Sequence, residues 1–240
     1  MNFDINFNFQ TDANGGDPDL TSPTLKKYHK ILWSKLLSDG KNFVLNKKSG
    51  AYLYHYSEIG EFYLGSDAIT NSYKHHKSKK WLTEQITDEV QELFNAGSTI
   101  GAYIIYPNKK NGGHTINQAR GVNRFIDDRF DLTLECIRLF YENKYSPLFD
   151  TFIRYKSFFD IFSNFKNYVD FFLLQDLVDK NYNVIFFLPF DNFQTKPKIS
   201  TKEDYLKYKN NAVNFIFARN KRIENYVNEN IEEIKRLHIT

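Results

Sequence analysis

The chain has 240 residues, of which 41% are hydrophobic and 25% charged, a composition typical of a globular protein with a substantial core. A net charge of +3 is too small to indicate a general nucleic-acid or membrane surface. The single cysteine, Cys136, excludes an internal disulfide, and the longest apolar runs are much shorter than the ~20 residues of a membrane span. We therefore expect a cytoplasmic protein without a membrane partner.

The first half of the chain is predicted to alternate short strands and helices. Residues 3–9 alternate between apolar and polar side chains, as in a half-buried strand. Ser22 and Pro23 are typical of a helix N-cap and first turn, and this helix is predicted to end near Asp39. The other elements predicted here are strands at 52–56 and 61–64, a helix at 82–94 and a buried strand at 100–106.

The second half is predicted to be mainly helical. Its elements are a helix at 115–141, a second long helix at 158–178, a buried strand at 184–188, and a helix from about 202 that starts after Ser200-Thr201. The charged stretch 220–240 is expected to be a helical tail that frays at its end. Together these elements predict one α+β domain over residues 1–240, with a small mixed sheet packed against several long helices.

The polar face of the predicted 115–141 helix is its most informative feature. At about 100° per residue, one side of the helix is apolar. The other side carries a stripe, roughly 80° wide, of guanidinium groups, carboxylates and one amide. The stripe consists of Asn117, Arg120, Arg124, Asp128, Asp131, Glu135 and Arg138. The chain has 24 Lys and 8 Arg, and four of the arginines lie between residues 120 and 138. This concentration of arginines indicates a site that requires hydrogen-bond donors in a fixed, bidentate arrangement.

Two interpretations of the stripe are open. Residues three and four apart on a helix form ion pairs worth about 0.2–0.5 kcal/mol each, so the stripe fits a solvated salt-bridge face. Alternatively, Asn117, Gln118 and Arg120 lie near a helix start, where backbone N–H groups favour anions. They would then orient an anionic substrate, and Arg124 would support them.

Candidate catalytic groups follow on the same stripe. Asp128, Asp131 or Glu135 would serve as a base or as a ligand to Mg²⁺, which is typically held by one or two carboxylates and substrate phosphates. His114 precedes the stripe in a glycine-containing loop and is a candidate for proton transfer. We predict no dedicated metal site, because the arginines already supply countercharge. Gly112-Gly113 is too sparse to form a phosphate cradle by itself.

Three further residues are candidates for substrate binding. Ser66 and Asp67 lie at the predicted end of a strand, a common position for site residues, although a role in capping a following helix is the alternative. Arg219 belongs to a basic cluster near the end of the helix that starts at about 202. It would join the same site if that helix packed beside the 115–141 helix.

Five blocks distributed over nearly the whole chain are distinctive. They are DPDLTSPTLKKYHKILW, FYLGSDAITNSY, TINQARGVNRFIDDRFDLTLECIRLFY, FKNYVDFFLLQDLVD and ARNKRI. Together they resemble an uncharacterised bacterial family, a domain of unknown function, and DRFDLTLECIR is the most specific match. The resemblance implies a bacterial or phage-linked cytosolic protein, but it brings no established activity and no site residues.

The leading hypothesis is an enzyme that acts on a phosphorylated nucleotide or a nucleic acid, because oriented donors beside a carboxylate are what phosphate-directed chemistry needs. A toxin or phage-defence role would fit a compact bacterial protein. The alternative is a non-catalytic module that uses the Arg/Asp face to bind another protein or a second copy of itself. A purely structural charge network is the third reading.

Overall fold

The computed structural model describes residues 3–196 and 199–238, and its strands form two small antiparallel sheets. In the smaller sheet, β1 (Lys35–Leu36) pairs with β2 (Asn42–Phe43). In the main sheet, β3 (Leu53–Ser57), β4 (Gly60–Ala68) and β5 (Tyr103–Pro107) lie side by side in that order. The α+β class is therefore confirmed, whereas the ladders of the described strands are antiparallel and the sheet is not mixed.

Helices make up most of the remaining described chain. They are α1 (Pro18–Thr21), α2 (Pro23–Trp33), α3 (Lys80–Thr83), α4 (Thr87–Ala96), α5 (Ile116–Val122), α6 (Phe130–Tyr141), α7 (Phe149–Arg154), α8 (Lys156–Asp160), α9 (Phe165–Phe171), α10 (Lys202–Glu229) and α11 (Ile231–His238). Short 3₁₀ turns occupy Phe9–Thr11, Lys77–Lys79, Ile100–Ala102 and Gln175–Leu177. No helix in the described part of the chain is both long and apolar enough to cross a membrane.

Local sequence signals place several of these elements as expected. Ser22 caps α2 by accepting a hydrogen bond from Leu25 N, with Pro23 in the first turn. Thr201 caps α10 in a reciprocal capping box whose partner is Asp204. The turn Glu58-Ile59 joins β3 to β4, and the next residue, Gly60, has a φ of 141°, which favours glycine.

The single helix predicted at 115–141 is wrong, because the chain breaks between α5 and α6. Thr115 and Gln118 form a capping box that starts α5, and Asn123 ends it in an extended conformation. Asp127 and Asp128 then adopt positive φ values of 49° and 59°, which a helix does not tolerate. The stripe therefore does not exist as one face, and its residues are divided between two helices and a turn.

Four other predictions are also wrong. The helix expected at 158–178 is divided into α8, α9 and a 3₁₀ turn, with positive φ at Ser163 and Leu173 between them. Residues 3–9 form no strand, and 184–188 contributes only an isolated bridge from Val184. The helix that starts at Pro23 ends at Trp33, well before Asp39, because β1 begins at Lys35. Apolar character predicted the burial of these segments but not their backbone conformation.

Helix α10 packs closely on the turn that leads into β5. A Cβ atom at Gly101 would lie 2.4 Å from the carbonyl oxygen of Ile216, so only glycine permits this approach. Gly101 N donates to Asn220 Oδ1 across 2.6 Å. The stretch 220–240 was expected to be a helical tail that frays at its end. Residues 220–229 continue α10 and Ile231–His238 form α11, and residues 239–240 lie outside the described residues.

Candidate functional site

The candidate site is built where the end of β4 meets α5. Neighbouring side chains of a strand point to opposite faces of the sheet, and both Ser66 and Asp67 are buried. Ser66 contacts His29 of α2, whereas Asp67 contacts Arg120 of α5. The strand was predicted to end at residues 65–67, but its ladder with β5 continues to Ala68, which places both side chains on rigid backbone.

Arg120 is completely buried and its guanidinium group is surrounded by acceptors. Its Nε donates to Thr133 Oγ1 across 2.9 Å, and Nη1 donates to the Asp67 carboxylate and, at 3.4 Å, to Ala68 O. Nη2 donates to Asp128 O across 3.3 Å and lies 3.6 Å from Asp128 Oδ1. Because every guanidinium nitrogen has a protein partner, Arg120 organises the site and presents no open fork to a ligand.

The ionisation of this buried pair is set by competing effects. Burial raises the pKa of the Asp67 carboxyl to about 7, and the charge of Arg120 opposes that shift. For Arg120, burial favours the neutral form, but the carboxylates of Asp67 and Asp128 outweigh it and raise the pKa of the guanidinium. The arginine therefore stays charged and holds both carboxyl groups at one place.

A chain of hydrogen bonds fixes the orientation of the Ser66 hydroxyl. Trp33 Nε1 donates to His29 Nδ1 across 3.0 Å, and an indole nitrogen can only donate. His29 Nδ1 must then carry no proton, so Nε2 carries it and donates to Ser66 Oγ across 2.9 Å. Burial lowers the pKa of His29 to about 3, which keeps the ring neutral. Ser66 is consequently an acceptor from His29, and its own proton is free to be donated elsewhere.

Asp19, in the short helix α1, lies on the Ser66 side of β4 and was not predicted from the sequence as a site residue. Its backbone N–H donates to Oδ1 of Asp17, the N-cap of α1, across 3.1 Å. Its Oδ1 atom is buried and has no hydrogen-bond partner. Burial raises the pKa of the Asp19 carboxyl to about 6, and the Ser66 hydroxyl acts in the opposite direction. This carboxyl therefore changes its protonation state close to neutral pH.

Asp19 lines two cavities. The larger one has a volume of about 380 Å³ and is also bounded by Asp17, Thr70, Asn71 and Asp128, together with the basic residues Lys74, His75 and His76. The smaller one has a volume of about 290 Å³ and is also bounded by Tyr52, Ser66, Asn117 and Gln118. The Thr70 and Tyr52 hydroxyl groups are buried without a hydrogen-bond partner. Polar groups left open beside a cavity are typical of a binding site.

The segment before the basic residues is held against the larger cavity by tyrosines from α10. Tyr208 OH donates to Asn71 O across 3.1 Å, and Tyr205 OH donates to Ser72 O across 2.8 Å. Asn71 Nδ2 in turn donates to Asp128 Oδ2 across 3.2 Å. Asp128 is about one-third exposed, so its carboxylate connects the buried Arg120 network to the cavity.

The predicted residues thus divide into two groups. Asp67, Arg120 and Asp128 are brought together, whereas Ser66 lies on the other face of β4 and lines the smaller cavity with Asn117 and Gln118. Gln118 Oε1 also caps α5 by accepting from Thr115 N. Five other residues do not join them: Asp131, Glu135, Arg124, His114 and Arg219. The reasons differ between these five.

Asp131 and Glu135 serve α6 itself. Asp131 is buried, forms an ion pair with Arg129 and accepts from Phe187 N across 2.9 Å. Glu135 accepts from Arg138 at 2.7 and 2.8 Å. Both carboxylates are committed to structural partners, so the predicted catalytic roles find no support in their positions.

Arg124, His114 and Arg219 lie elsewhere. Arg124 and His114 are exposed and border a separate cavity between α5 and α7. Arg219 is completely buried and donates to the carbonyl oxygens of Gly101, Tyr103 and Phe172 at 2.9–3.3 Å. These hydrogen bonds hold α10 against the core, and Arg219 is not part of the Arg120 hydrogen-bond network.

The residues that sequence reasoning missed are Asp19, Tyr52, Thr70 and Asn71. Asp17-Pro18 does carry a helix-start signal, an N-cap followed by proline, which would have placed Asp19 in a first turn. Its proximity to Ser66 depends on α1 packing on β4, which no local pattern indicates. Within the described residues, no group of three or more His, Cys, Asp or Glu side chains could hold a metal ion.

Comparison with known proteins places the chain in a family. Residues 3–223 match DUF6994, a family of unknown function. The chain belongs to this family. The match covers the elements from the N-terminal segment through most of α10, including every residue of the candidate site. No curated protein and no solved structure matches the chain.

Proposed function

We propose that this DUF6994 protein is an enzyme in which the carboxyl group of Asp19 acts as a general acid–base on a polar small molecule. The supporting observation is the position of this carboxyl between two cavities, with one oxygen buried and unpartnered and a pKa of about 6. A group whose pKa lies near the working pH can both accept and donate a proton, which such catalysis requires.

The substrate class that we propose is a phosphorylated nucleotide. Lys74, His75 and His76 border the same cavity as the carboxylates Asp17 and Asp128. A phosphate group would bind at this basic segment, and the donors of a sugar or base would face the carboxylates. Concave sites of this size suit a nucleotide more than a nucleic-acid strand.

This proposal changes the roles that the sequence suggested for the arginines. Arg120 holds Asp67 and Asp128 in place from a buried position, and Arg124 lies on a different surface. Mg²⁺ bound by one or two of the cavity carboxylates and a substrate phosphate is compatible with Asp17 and Asp128.

A nucleotide panel tests the proposal. Nucleoside mono-, di- and triphosphates are added with and without Mg²⁺, binding is followed by thermal shift and calorimetry, and products are identified by mass spectrometry. We expect Asp19→Asn to retain binding but to lose turnover by about 100-fold or more, as is typical for a general acid–base.

Asp160→Asn is the matched control, because it removes an exposed carboxylate of α8 whose ion-pair partner is Lys156. It should behave as the wild type. Turnover that survives Asp19→Asn, or a panel in which no nucleotide binds, would refute the proposal.

A toxin or defence role would follow only if turnover depleted a cellular nucleotide. Inducible expression in a bacterial host should then arrest growth for the wild type and not for Asp19→Asn. Equal growth of the two strains would remove this part of the proposal.

The alternative, a docking module, was predicted to use the Arg/Asp stripe as its binding surface. Arg120, Asp131 and Glu135 are buried, so the Arg/Asp stripe is not available as an exposed face. A docking function or a homodimer would have to use a different surface.

A further inference from the structure

A fourth cavity lies where the loop that follows β5 meets the end of α7. It has a volume of about 280 Å³, and among its lining residues only Pro107 also borders a cavity beside Asp19. Its polar lining includes Lys109, Lys110, Asn111 and Arg154. The loop that carries Lys109 and Lys110 is therefore part of a concave surface.

Arg154 is held rigidly beneath this loop. Its Nη1 donates to Asp150 O across 3.1 Å, and its Nη2 donates to His114 O and to Thr151 Oγ1, each across 3.2 Å. Its backbone carbonyl accepts from Asn111 Nδ2 across 2.6 Å. The guanidinium group therefore bridges α7 and the loop in a single orientation.

The two glycines of the loop allow this contact. Gly112 has a φ of 69°, and a Cβ atom at Gly113 would lie 3.2 Å from the guanidinium carbon of Arg154. A side chain at position 113 would require the Arg154 guanidinium group or the loop to shift by a few tenths of an ångström. The glycines thus have a physical role, although they do not form a phosphate cradle by themselves.

The positive charge at this cavity is not balanced by ion pairs. The acceptors of Arg154 are neutral carbonyl and hydroxyl oxygens, and its Nε is buried without a partner. The ion pairs found among the described residues do not include Arg154, Lys109 or Lys110. Three cations on one concave wall create a positive potential that favours an anion.

Glu61 is the acidic residue on the opposite wall, and it is already neutralised. It accepts from Lys48 Nζ at 2.8 Å and from Tyr54 OH at 2.7 Å, and these bonds, with a smaller effect from the charge of Lys109, lower the pKa of its carboxyl. A confined basic cavity fits a compact anion better than the extended backbone of a nucleic acid, which needs a continuous basic track.

We infer that this cavity binds the phosphate or pyrophosphate group of a small phosphorylated molecule. Lys109 and Lys110 supply exposed charges in the lining, and Arg154 supplies a charge held in place by its hydrogen bonds. The inference is independent of the proposed function, because none of these three residues borders the cavities of Asp19.

Titration with inorganic pyrophosphate, followed by ¹⁵N-correlated NMR and calorimetry at low ionic strength, tests this site. The amide signals of Gly112 and Gly113 and the Nε–H signal of Arg154 should shift together and saturate. Lys109→Ala/Lys110→Ala should weaken the binding measured at these signals by about tenfold or more, which corresponds to ~1.4 kcal/mol. Both lysines are exposed, so this variant should fold normally.

The matched control is Lys202→Ala/Lys207→Ala, which removes the same charge from the exposed surface of α10. It should leave the affinity unchanged, and so should Asp19→Asn, which separates this test from that of the proposed function. Equal weakening by both lysine pairs, or loop signals that do not respond, would overturn the inference. Tighter binding of a short single-stranded oligonucleotide through the same lysines would overturn it in favour of a nucleic-acid surface.

Discussion

His29 Nε2 donates to Ser66 Oγ across 2.9 Å, which is the reverse of the proton arrangement in a serine nucleophile activated by histidine. The indole of Trp33 imposes this direction from the other side of the ring. Ser66 is therefore equipped to donate its proton toward Asp19 or a ligand. A serine and a histidine at hydrogen-bond distance do not by themselves make a catalytic pair.

The protonation state of His29 is the first prediction. Long-range ¹H–¹⁵N correlation spectra should show a neutral ring with the proton on Nε2 throughout pH 5–8, because burial lowers the pKa to about 3. Trp33→Phe removes the donor to Nδ1 and should allow the other tautomer to appear. A charged ring at pH 6, or a proton on Nδ1 in the wild type, would contradict the hydrogen-bond chain.

The second prediction concerns the pH dependence of stability at Asp19. Its pKa is about 6 in the folded state and ~3.9 when unfolded, so between these values the folded state binds more protons. Stability contributed by this group is thus present below about pH 4 and is lost as the pH rises to about 6. Asp19→Asn should be more stable than the wild type at pH 7.5 by about 1–3 kcal/mol and nearly equal to it at pH 4.

Urea unfolding at both pH values measures this difference. Asp160→Asn, on the exposed surface of α8, should show no comparable change between the two pH values. A destabilised Asp19→Asn at pH 7.5 would mean that the carboxylate is well solvated or paired in the folded protein.

The third prediction is that Arg120 stabilises the fold through its buried network. Arg120→Met should cost about 3–5 kcal/mol, because it leaves the buried Asp67 carboxyl without its partner. The double variant Arg120→Met/Asp67→Leu should recover a large part of this loss, since no uncompensated charge remains. Chemical denaturation of the four proteins gives the coupling energy, and additive costs would show that the two side chains do not interact.

The fourth prediction compares two glycines. Gly101→Ala should destabilise the protein by about 2 kcal/mol or more, because its Cβ would lie 2.4 Å from Ile216 O. Gly121→Ala, in α5 and with no atom within 4 Å of the added Cβ, should stabilise it by about 0.5–1 kcal/mol. Thermal unfolding of both variants measures this contrast, and similar effects at the two positions would argue against the close packing of α10.

Local signals in the sequence were sufficient where a few adjacent residues decide the structure. The cap at Ser22 and the start of α10 after Thr201 each depend on side chains within four positions, and the structure has them where they were expected. The α+β class followed from the same signals, as did the burial of β5. These features are encoded by the period of apolar residues and by backbone preferences.

The candidate site required information of a different kind. Helical periodicity predicted one continuous helix in place of α5 and α6. The left-handed turn between them is formed by Asp127 and Asp128, and aspartate is also common on exposed helix surfaces. Arg120 was recognised as unusual, but its burial and its pairing with Asp67, 53 residues away, depend on the packing of α5 against β4. The sequence by itself determined which segments are buried and where several helices begin. Only the tertiary structure decided which polar groups share a cavity, because the contacts that enclose them join segments far apart in the chain.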